Sequence, residues 1–156
     1  MQRTLVLLKP DAVERRLVGT ILARLERKGL DIVGLKMVRV SAAKAARFYA
    51  EHRGREFYEP LVRFLSSGPV VAVAVEGQDA VRVVRGMVGS TFGSEASPGT
   101  IRGDFGMSRR FNLVHASDSP TSARRELAAF FTHGEVLRRR AADADWVYDR
   151  TGPTPV

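Results

Sequence analysis

The sequence has no cysteine among its 156 residues. Disulfides, thiolate metal sites and thiol nucleophiles are therefore excluded, and any chemistry must come from other side chains. Long apolar runs are also absent. The N-terminal apolar segment, TLVLLK, is ended by Pro10 and Asp11 and is too short for a signal-peptide core or a membrane span. We therefore expect a cytoplasmic protein without a membrane partner. The length predicts one domain over residues 1–149, followed by a flexible tail over residues 150–156.

Acidic residues are fewer than basic ones, 17 against 25, and the net charge at pH 7 is +8. A positive field attracts polyanions, so nucleotides or nucleic acids are expected partners. Arginine accounts for 21 of the basic residues and lysine for four. A GC-rich genome also produces this bias, and many of the arginines could then be solvated surface residues. The charge by itself favours neither interpretation.

The apolar residues alternate between strand and helix patterns along the chain. Strands are predicted at TLVLLK, LDIVGLKMVRV and PVVAVAVEG, and in the segment that ends at His115. Helical spacing predicts helices over VGTILARLERK, over AAKAARFYAEH after the cap Ser41, over FYEPLVRFLSSG with Phe57 on its apolar face, over QDAVRVVRGMVG, and after Ser119. The segment STFGSEASPGTIRGDFG is expected to form a loop.

This order of elements fits an α+β fold of the ferredoxin-like type, β-α-β-β-α-β. Two helices would lie on one face of a four-stranded antiparallel sheet, with the other helical pieces as insertions. The alternative is a doubly wound α/β fold. We favour it less because only four strands are predicted, and because the sequence has neither a dinucleotide fingerprint after a strand nor a GxxxxGK[ST] loop.

Without a glycine-rich loop, a phosphate site must use side-chain cations and hydroxyls. Arg85, Thr91, Arg102 and Asn112 supply such groups within thirty residues before His115. Arginine's planar guanidinium suits phosphoryl oxygens, and threonine adds a hydroxyl donor. The segment before His115 is therefore a candidate anion site.

The three histidines differ in their surroundings. His52 and His133 lie in a charged segment and at a helix end, where surface or structural roles are usual. His115 follows apolar residues, precedes small ones, and is followed eleven residues later by Glu126 on a predicted helix. A single histidine at a strand end is still more often a core residue than a catalyst, so this spacing alone does not decide its role.

Five segments together resemble the nucleoside diphosphate kinase family. They occur in the expected order, from about Arg3 to Tyr148: TLVLLKPDAV, LVGTILARLERKGLDIVGLKM, SSGPVVAVAVEG, PGTIRGDF and NLVHASDS. The pattern N-x-x-H-[GA]-S-D-S combined with T-I-R-G-D-F is highly specific. The resemblance implies a ferredoxin-like enzyme that transfers the γ-phosphoryl group of a nucleoside triphosphate, typically ATP, to a nucleoside diphosphate.

The same resemblance implies roles for individual residues. His115 would be the nucleophile and form a phosphohistidine in a ping-pong reaction, since a largely uncharged imidazole attacks phosphorus without a separate base. Glu126, Ser117 and Tyr49 would hold its ring. The implied nucleotide-binding residues are Lys9, Phe57, Arg85, Thr91, Arg102 and Asn112, with Phe57 stacked on the base and Lys9 and Asn112 near the ribose hydroxyls and the phosphates.

No metal site is implied in the protein itself. Mg²⁺ would arrive on the nucleotide phosphates, and the resemblance implies a homo-oligomer, either a hexamer or a tetramer. Binding of nucleic acid is compatible with the charge but not required. A nucleic-acid-binding module usually displays aromatic residues on its central strands, and PVVAVAVEG carries none. A non-catalytic family member is the other alternative, although every implied site residue is retained.

Structural interpretations remain open for several of these residues. Lys9 and Asn112 could cap strand ends, Phe57 could belong to the core, and Arg85 could be a surface residue. Ala12 stands where the family commonly has glycine, which would cost about 1 kcal/mol if the position required a positive φ. Glu56 and Gly93 stand where proline is frequent, and these changes bear on assembly rather than on chemistry.

Overall fold

The computed structural model describes residues 1–138 and 141–149. The predicted tail, residues 150–156, lies outside this part, and its flexibility and the domain bounds stay predictions. The described strands are β1 Gln2–Leu8, β2 Asp31–Arg39, β3 Pro69–Gly77 and β4 Val114–Ala116. The described α-helices are α1 Pro10–Glu14, α2 Val18–Arg27, α3 Ala42–Phe48, α4 Tyr58–Leu65, α5 Ala80–Val88, α6 Ile101–Phe105, α7 Pro120–Phe130 and α8 Ala144–Val147. None of these helices is long and apolar enough to cross a membrane.

The strands form one sheet in the order β2-β3-β1-β4, and every neighbouring pair is antiparallel. This is the arrangement predicted for a β-α-β-β-α-β chain, so the α+β, ferredoxin-like expectation is confirmed. In the pairing of β1 with β4, Leu7 lies opposite His115. Residues opposite each other in an antiparallel pair point to the same face of the sheet, so His115 shares the face of Leu7.

Helices cover both faces of the sheet. On one face, residues of β1 and β3 such as Val6 and Val73 pack with α2 and α5. On the other, Leu7 and its neighbours pack with α3, α4 and the C-terminal end of α7. The sequence predicted two helices on one face of the sheet, with the other helical pieces as insertions. These pieces instead form a second layer, and β3 is consequently buried along most of its length rather than alternating between core and solvent.

Three local features differ from the sequence prediction. Pro10 ends β1 as expected but also begins α1, where a proline at the first helical position is favourable. Ala12 lies buried inside this helix and has no positive φ, so the predicted cost of replacing glycine does not arise. The expected loop contains α6, which starts because the Thr100 hydroxyl caps it by accepting a hydrogen bond from the Gly103 N–H at 3.0 Å.

Gly103 is required by this packing, and its replacement by alanine is expected to destabilise the protein. A Cβ at Gly103 would lie 2.0 Å from the carbonyl oxygen of Ser97, a backbone atom that cannot move aside cheaply. Overpacking of this kind costs about 1–3 kcal/mol. Urea unfolding of Gly103→Ala should show the loss as a lower midpoint.

The matched control is Gly86→Ala in α5, where a Cβ meets nothing within 4 Å. This change should stabilise the protein by about 0.5–1 kcal/mol because alanine loses less backbone entropy in a helix. Equal midpoints for the two variants would show that the close approach at Gly103 does not limit stability.

Candidate active site

His115 lies in the short strand β4, on the face of the sheet that also carries α3 and α7. Its side chain retains 21% of its solvent exposure, whereas its chain neighbours Val114 and Ala116 are buried. The imidazole is therefore fixed by a buried backbone but still reaches solvent. This combination is the first requirement for a side chain that reacts with a dissolved substrate.

A buried carboxylate holds one nitrogen of this imidazole. Oε2 of Glu126, on α7, lies 2.7 Å from Nε2 of His115 and accepts a second hydrogen bond from the Ser117 hydroxyl at 2.8 Å. Burial raises the pKa of Glu126, but the bonds from His115 and Ser117 outweigh it and the pKa is lowered overall. Glu126 is thus an anion that accepts a hydrogen bond from the Nε2–H group, which leaves the lone pair of a neutral ring on Nδ1.

Two aromatic rings fix the plane of the imidazole. Tyr49, which the sequence predicted, meets it edge to face with ring centroids 6.2 Å apart. Phe48, which the sequence analysis missed, lies closer at 5.0 Å and in the same geometry. Burial raises the pKa of Tyr49, so its phenol stays protonated. Phe48 was missed because its position on a predicted helix indicates only a core residue. The side chain does belong to the core, in addition to its contact with the imidazole.

Lys9 and Asn112 form a buried polar pair next to β4. Nζ of Lys9 donates to Oδ1 of Asn112, and Nδ2 of Asn112 donates to the carbonyl of Thr91 at 2.8 Å. The two side chains therefore bind each other and do not simply cap strand ends. Burial, followed by the charge of Arg102, lowers the pKa of Lys9 to about 8.

Arg102 is buried and donates to four backbone carbonyls. Nε bonds Asn112 at 3.1 Å and Nη2 bonds Val114 at 2.7 Å, while Nη1 bonds Gly89 at 3.1 Å and Ser90 at 3.2 Å. Burial, followed by the charge of Arg85, lowers its pKa to about 10. A guanidinium has five N–H donors, so one N–H on Nη2 stays available. The sequence predicted a phosphate ligand here but not this structural role.

The remaining predicted site residues are more exposed. Phe57 is 53% exposed and immediately precedes α4, so the interpretation of this residue as core is wrong. A row of ring contacts connects it to the imidazole, through His52 at 5.4 Å and Tyr49 at 6.1 Å from His52. His52, for which a surface or structural role was expected, lies beside the site and its side chain is partly exposed. Arg85 is exposed on α5, and its positive charge acts on Arg102.

No group of three or more histidine, aspartate or glutamate side chains in residues 1–138 and 141–149 is arranged to hold a metal ion. Around the imidazole, which the Glu126 carboxylate and two aromatic rings hold, the described site instead presents cations, amides and hydroxyls. Such a set suits an anionic ligand with its own counterions.

Comparison with known proteins places this chain in a family. A sequence model described as nucleoside diphosphate kinase matches residues 2–136, which include every side chain of the candidate site. The chain belongs to the nucleoside diphosphate kinase family. Its fold and its activity class follow, because nucleoside diphosphate kinases are phosphotransferases that move a phosphate between nucleotides.

Individual nucleoside diphosphate kinases resemble the chain over almost its whole length. The enzyme of Archaeoglobus fulgidus is 53% identical over 149 residues, which cover 96% of this chain and 99% of that protein. The enzyme of Staphylococcus epidermidis is 47% identical over 149 residues, covering 96% and 100%. The structure of a halophilic nucleoside diphosphate kinase from Halobacterium salinarum in complex with CDP superposes with a TM-score of 0.93, at 45% identity, covering 95% of this chain and 99% of that chain.

In this nucleoside diphosphate kinase, Arg102→Ala is expected to lower the free energy of unfolding by at least about 3 kcal/mol. Four backbone carbonyls lose their donor, and at least two of the bonds are buried. Chemical denaturation followed by circular dichroism measures the change. The control is Arg82→Ala, whose side chain is 80% exposed and pairs with Asp79 on the surface, with an expected effect below about 0.5 kcal/mol. Similar midpoints for both variants would contradict the structural role of Arg102.

Proposed function

We propose that the enzyme transfers the γ-phosphoryl group of a nucleoside triphosphate, typically ATP, to a nucleoside diphosphate through a phosphohistidine on Nδ1 of His115. The observation that carries this proposal is the 2.7 Å contact between Nε2 and the buried Glu126 carboxylate. It leaves Nδ1 as the nitrogen with a free lone pair, on a side chain that reaches solvent. Family membership supports the class of reaction.

The first half-reaction forms one bond and breaks one. The Nδ1 lone pair attacks the γ-phosphorus, and the bond from phosphorus to the β–γ bridging oxygen breaks, which releases the nucleoside diphosphate. Positive charge develops on the ring during attack, and Glu126 stabilises it across the Nε2 hydrogen bond. Ser117 keeps the carboxylate in place by donating to the same oxygen.

The second half-reaction reverses the first with a different nucleotide. A terminal oxygen of the incoming nucleoside diphosphate attacks the phosphorus, and the Nδ1–phosphorus bond breaks with its electron pair returning to the ring. One site serves donor and acceptor in turn, so the kinetics are ping-pong. Because the bonds made and broken are alike, the overall equilibrium lies near unity.

The nucleotide is held by the cations and amides around His115. Lys9, Arg85 and the remaining N–H of Arg102 offset the charge of the phosphates, and the Thr91 hydroxyl donates a hydrogen bond to them. Asn112 and Lys9 reach the ribose. Phe57 stacks on the base, which its exposure allows, and stacking of this kind is worth about 1–3 kcal/mol for any base. We therefore expect broad base specificity. The CDP complex of the Halobacterium salinarum relative supports a nucleotide ligand.

Mg²⁺ is expected to reach the site on the nucleotide phosphates, where it offsets part of their negative charge. The cationic side chains of the described site offset the negative charge that remains. The proposal includes a homo-oligomer, a hexamer or a tetramer, and a cytoplasmic location. The oligomer rests on the family resemblance, and the location stays the expectation drawn from the sequence. Neither is needed for the chemistry described above.

Labelling of His115 tests the function. Incubation with γ-³²P-ATP and Mg²⁺ should label the protein, and the label should be lost in acid and retained in base, as expected for a phosphoramidate. His115→Ala should abolish label and turnover, while its unfolding midpoint stays close to that of the wild type. His133→Ala, which removes an exposed histidine of the segment after α7, should keep both activities.

Turnover by His115→Ala would show that the nucleophile is misassigned. Absence of label on the wild-type protein, together with tight binding of nucleic acid at low salt, would instead favour a binding module. The two results differ in the wild-type measurement, so they are separable.

The pH dependence tests the role of Lys9. Its pKa is lowered to about 8, so the ammonium is present below this pH and is lost as the pH rises through it. Because the charged form binds phosphate, kcat/KM should fall about tenfold per pH unit above the pKa. Lys44→Gln, which removes a lysine of α3, should leave this basic limb unchanged. A profile that stays flat from about pH 7 to about pH 9.5 would contradict the assignment.

A further inference from the structure

The backbone of Leu113, two residues before His115, has an unusual conformation. Its φ is +69°, in the left-handed region that a residue other than glycine adopts only at a cost of about 1–2 kcal/mol. The side chain is fully buried, so the position cannot simply relax toward solvent. Interactions around Leu113 must therefore hold this turn, which sets where β4 starts and where the imidazole lies.

Both peptide groups of Leu113 are held from the start of α1. Its N–H donates to Oδ2 of Asp11 at 3.0 Å, and its carbonyl accepts from the N–H of Lys9 at 2.8 Å. Of these two contacts, only the one to Asp11 depends on a side chain. Removal of the Asp11 carboxylate leaves a partly buried N–H without its acceptor in a strained turn.

Asp11 also lies among the buried cations of the site. Burial lowers the pKa of Lys9 and that of Arg102, and a second cation near each of them lowers it further. The negative charge of Asp11 raises the pKa of both residues and so opposes this effect. The Lys9 ammonium contacts the ring of Phe64, 5.7 Å from Nζ, and the amide of Asn112, and neither of these groups carries charge. The charged groups that act on Lys9 across the site are the Arg102 guanidinium and the Asp11 carboxylate. Asp11 is therefore the carboxylate that counters the charge on Lys9.

The second carboxylate oxygen supports this interpretation. Oδ1 of Asp11 is buried and has no hydrogen-bond partner among the described residues. A neutral amide or a hydroxyl would supply the acceptor for Leu113 without an extra buried charge. A buried oxygen without a partner is costly and requires an explanation, and a use for the charge of the carboxylate is one such explanation.

We propose that Asp11 is a positioning residue for phosphoryl transfer: its carboxylate holds the Leu113 turn that presents His115, and its charge keeps the Lys9 ammonium in the site. This inference rests on the proposed function, in which His115 and Lys9 act on the nucleotide. Asp11 touches neither the nucleotide nor the reacting atoms. It acts through the Leu113 backbone and through the electrostatic field at Lys9.

Two substitutions separate the two effects. Asp11→Ala removes the acceptor and the charge, and should lower kcat and the single-turnover rate of phosphoenzyme formation at least tenfold, with a smaller change in KM. Asp11→Asn keeps an acceptor oxygen for Leu113 and removes only the charge. It should recover most of kcat at about pH 6.5, while its basic limb moves to lower pH, because Lys9 loses its proton more readily without the neighbouring anion.

Glu14→Ala and Glu14→Gln are the matched controls, because Glu14 lies on the same helix but is exposed. Both should keep the wild-type rate and pH profile. Unfolding midpoints of all four variants show whether each is folded at the assay temperature. If Asp11→Ala does not fold, the position of the basic limb in Asp11→Asn decides the matter.

The inference is overturned if Asp11→Asn shows the wild-type pH profile, or if a folded Asp11→Ala has the kcat of Glu14→Ala. It is also overturned if Asp11→Ala and Asp11→Asn lose the same activity at low pH, since the hydrogen bond would then not matter. Failure of the wild-type protein to form an acid-labile phosphoenzyme is a different result, and it would overturn the proposed function itself.

Discussion

The hydrogen bond between Glu126 and Nε2 of His115 is the interaction on which the rest of the site depends. A free imidazole has two nitrogens of similar reactivity and a ring that rotates. Here the buried carboxylate, itself held by Ser117, selects the tautomer and blocks rotation, while the edges of Phe48 and Tyr49 confine the plane. A single side chain thereby acquires one defined nucleophilic atom. In the proposed reaction, Glu126 also supplies the negative charge that stabilises the ring as it attacks phosphorus, without any movement of the protein.

A second constraint concerns the cations of the site, because the fold removes them from water before any nucleotide binds. Burial lowers the pKa of both Lys9 and Arg102, which shows that the fold stores an unfavourable interaction there. Arg102 offsets part of this cost through its bonds to backbone carbonyls, and these bonds also join the segment before α6 to β4. The same residue therefore supports the fold and presents charge. An anionic substrate that neutralises such cations is bound more strongly than it would be by solvated surface arginines.

The sequence predicted the features that depend on local pattern and missed those that depend on packing. The strands and amphipathic helices were predictable because apolar spacing is local. The contact between His115 and Glu126 was predictable from the family resemblance, and the roles of the two residues stay predictions. The second helical layer was not predictable, since nothing in the spacing of α3 or α4 tells which face of a sheet they cover. The carbonyl contacts of Arg102 and the exposure of Phe57 depend on distant segments. Helix α1 was hidden because proline is both a strand terminator and a favourable first residue of a helix.

The edge position of β4 reconciles two opposing demands on the proposed nucleophile, His115. A residue in the middle of a sheet is well fixed but inaccessible, and a residue on a loop is accessible but mobile. In the sheet formed by the described residues, β4 pairs with β1 only, and it has three residues. Its backbone is held on one side by β1 and by the Lys9 contact to Leu113, and the other side is left without a strand. A side chain placed in this way is accessible to a ligand as large as a nucleotide while its own position changes little, and the proposed reaction, with two successive substrates at one atom, requires both properties.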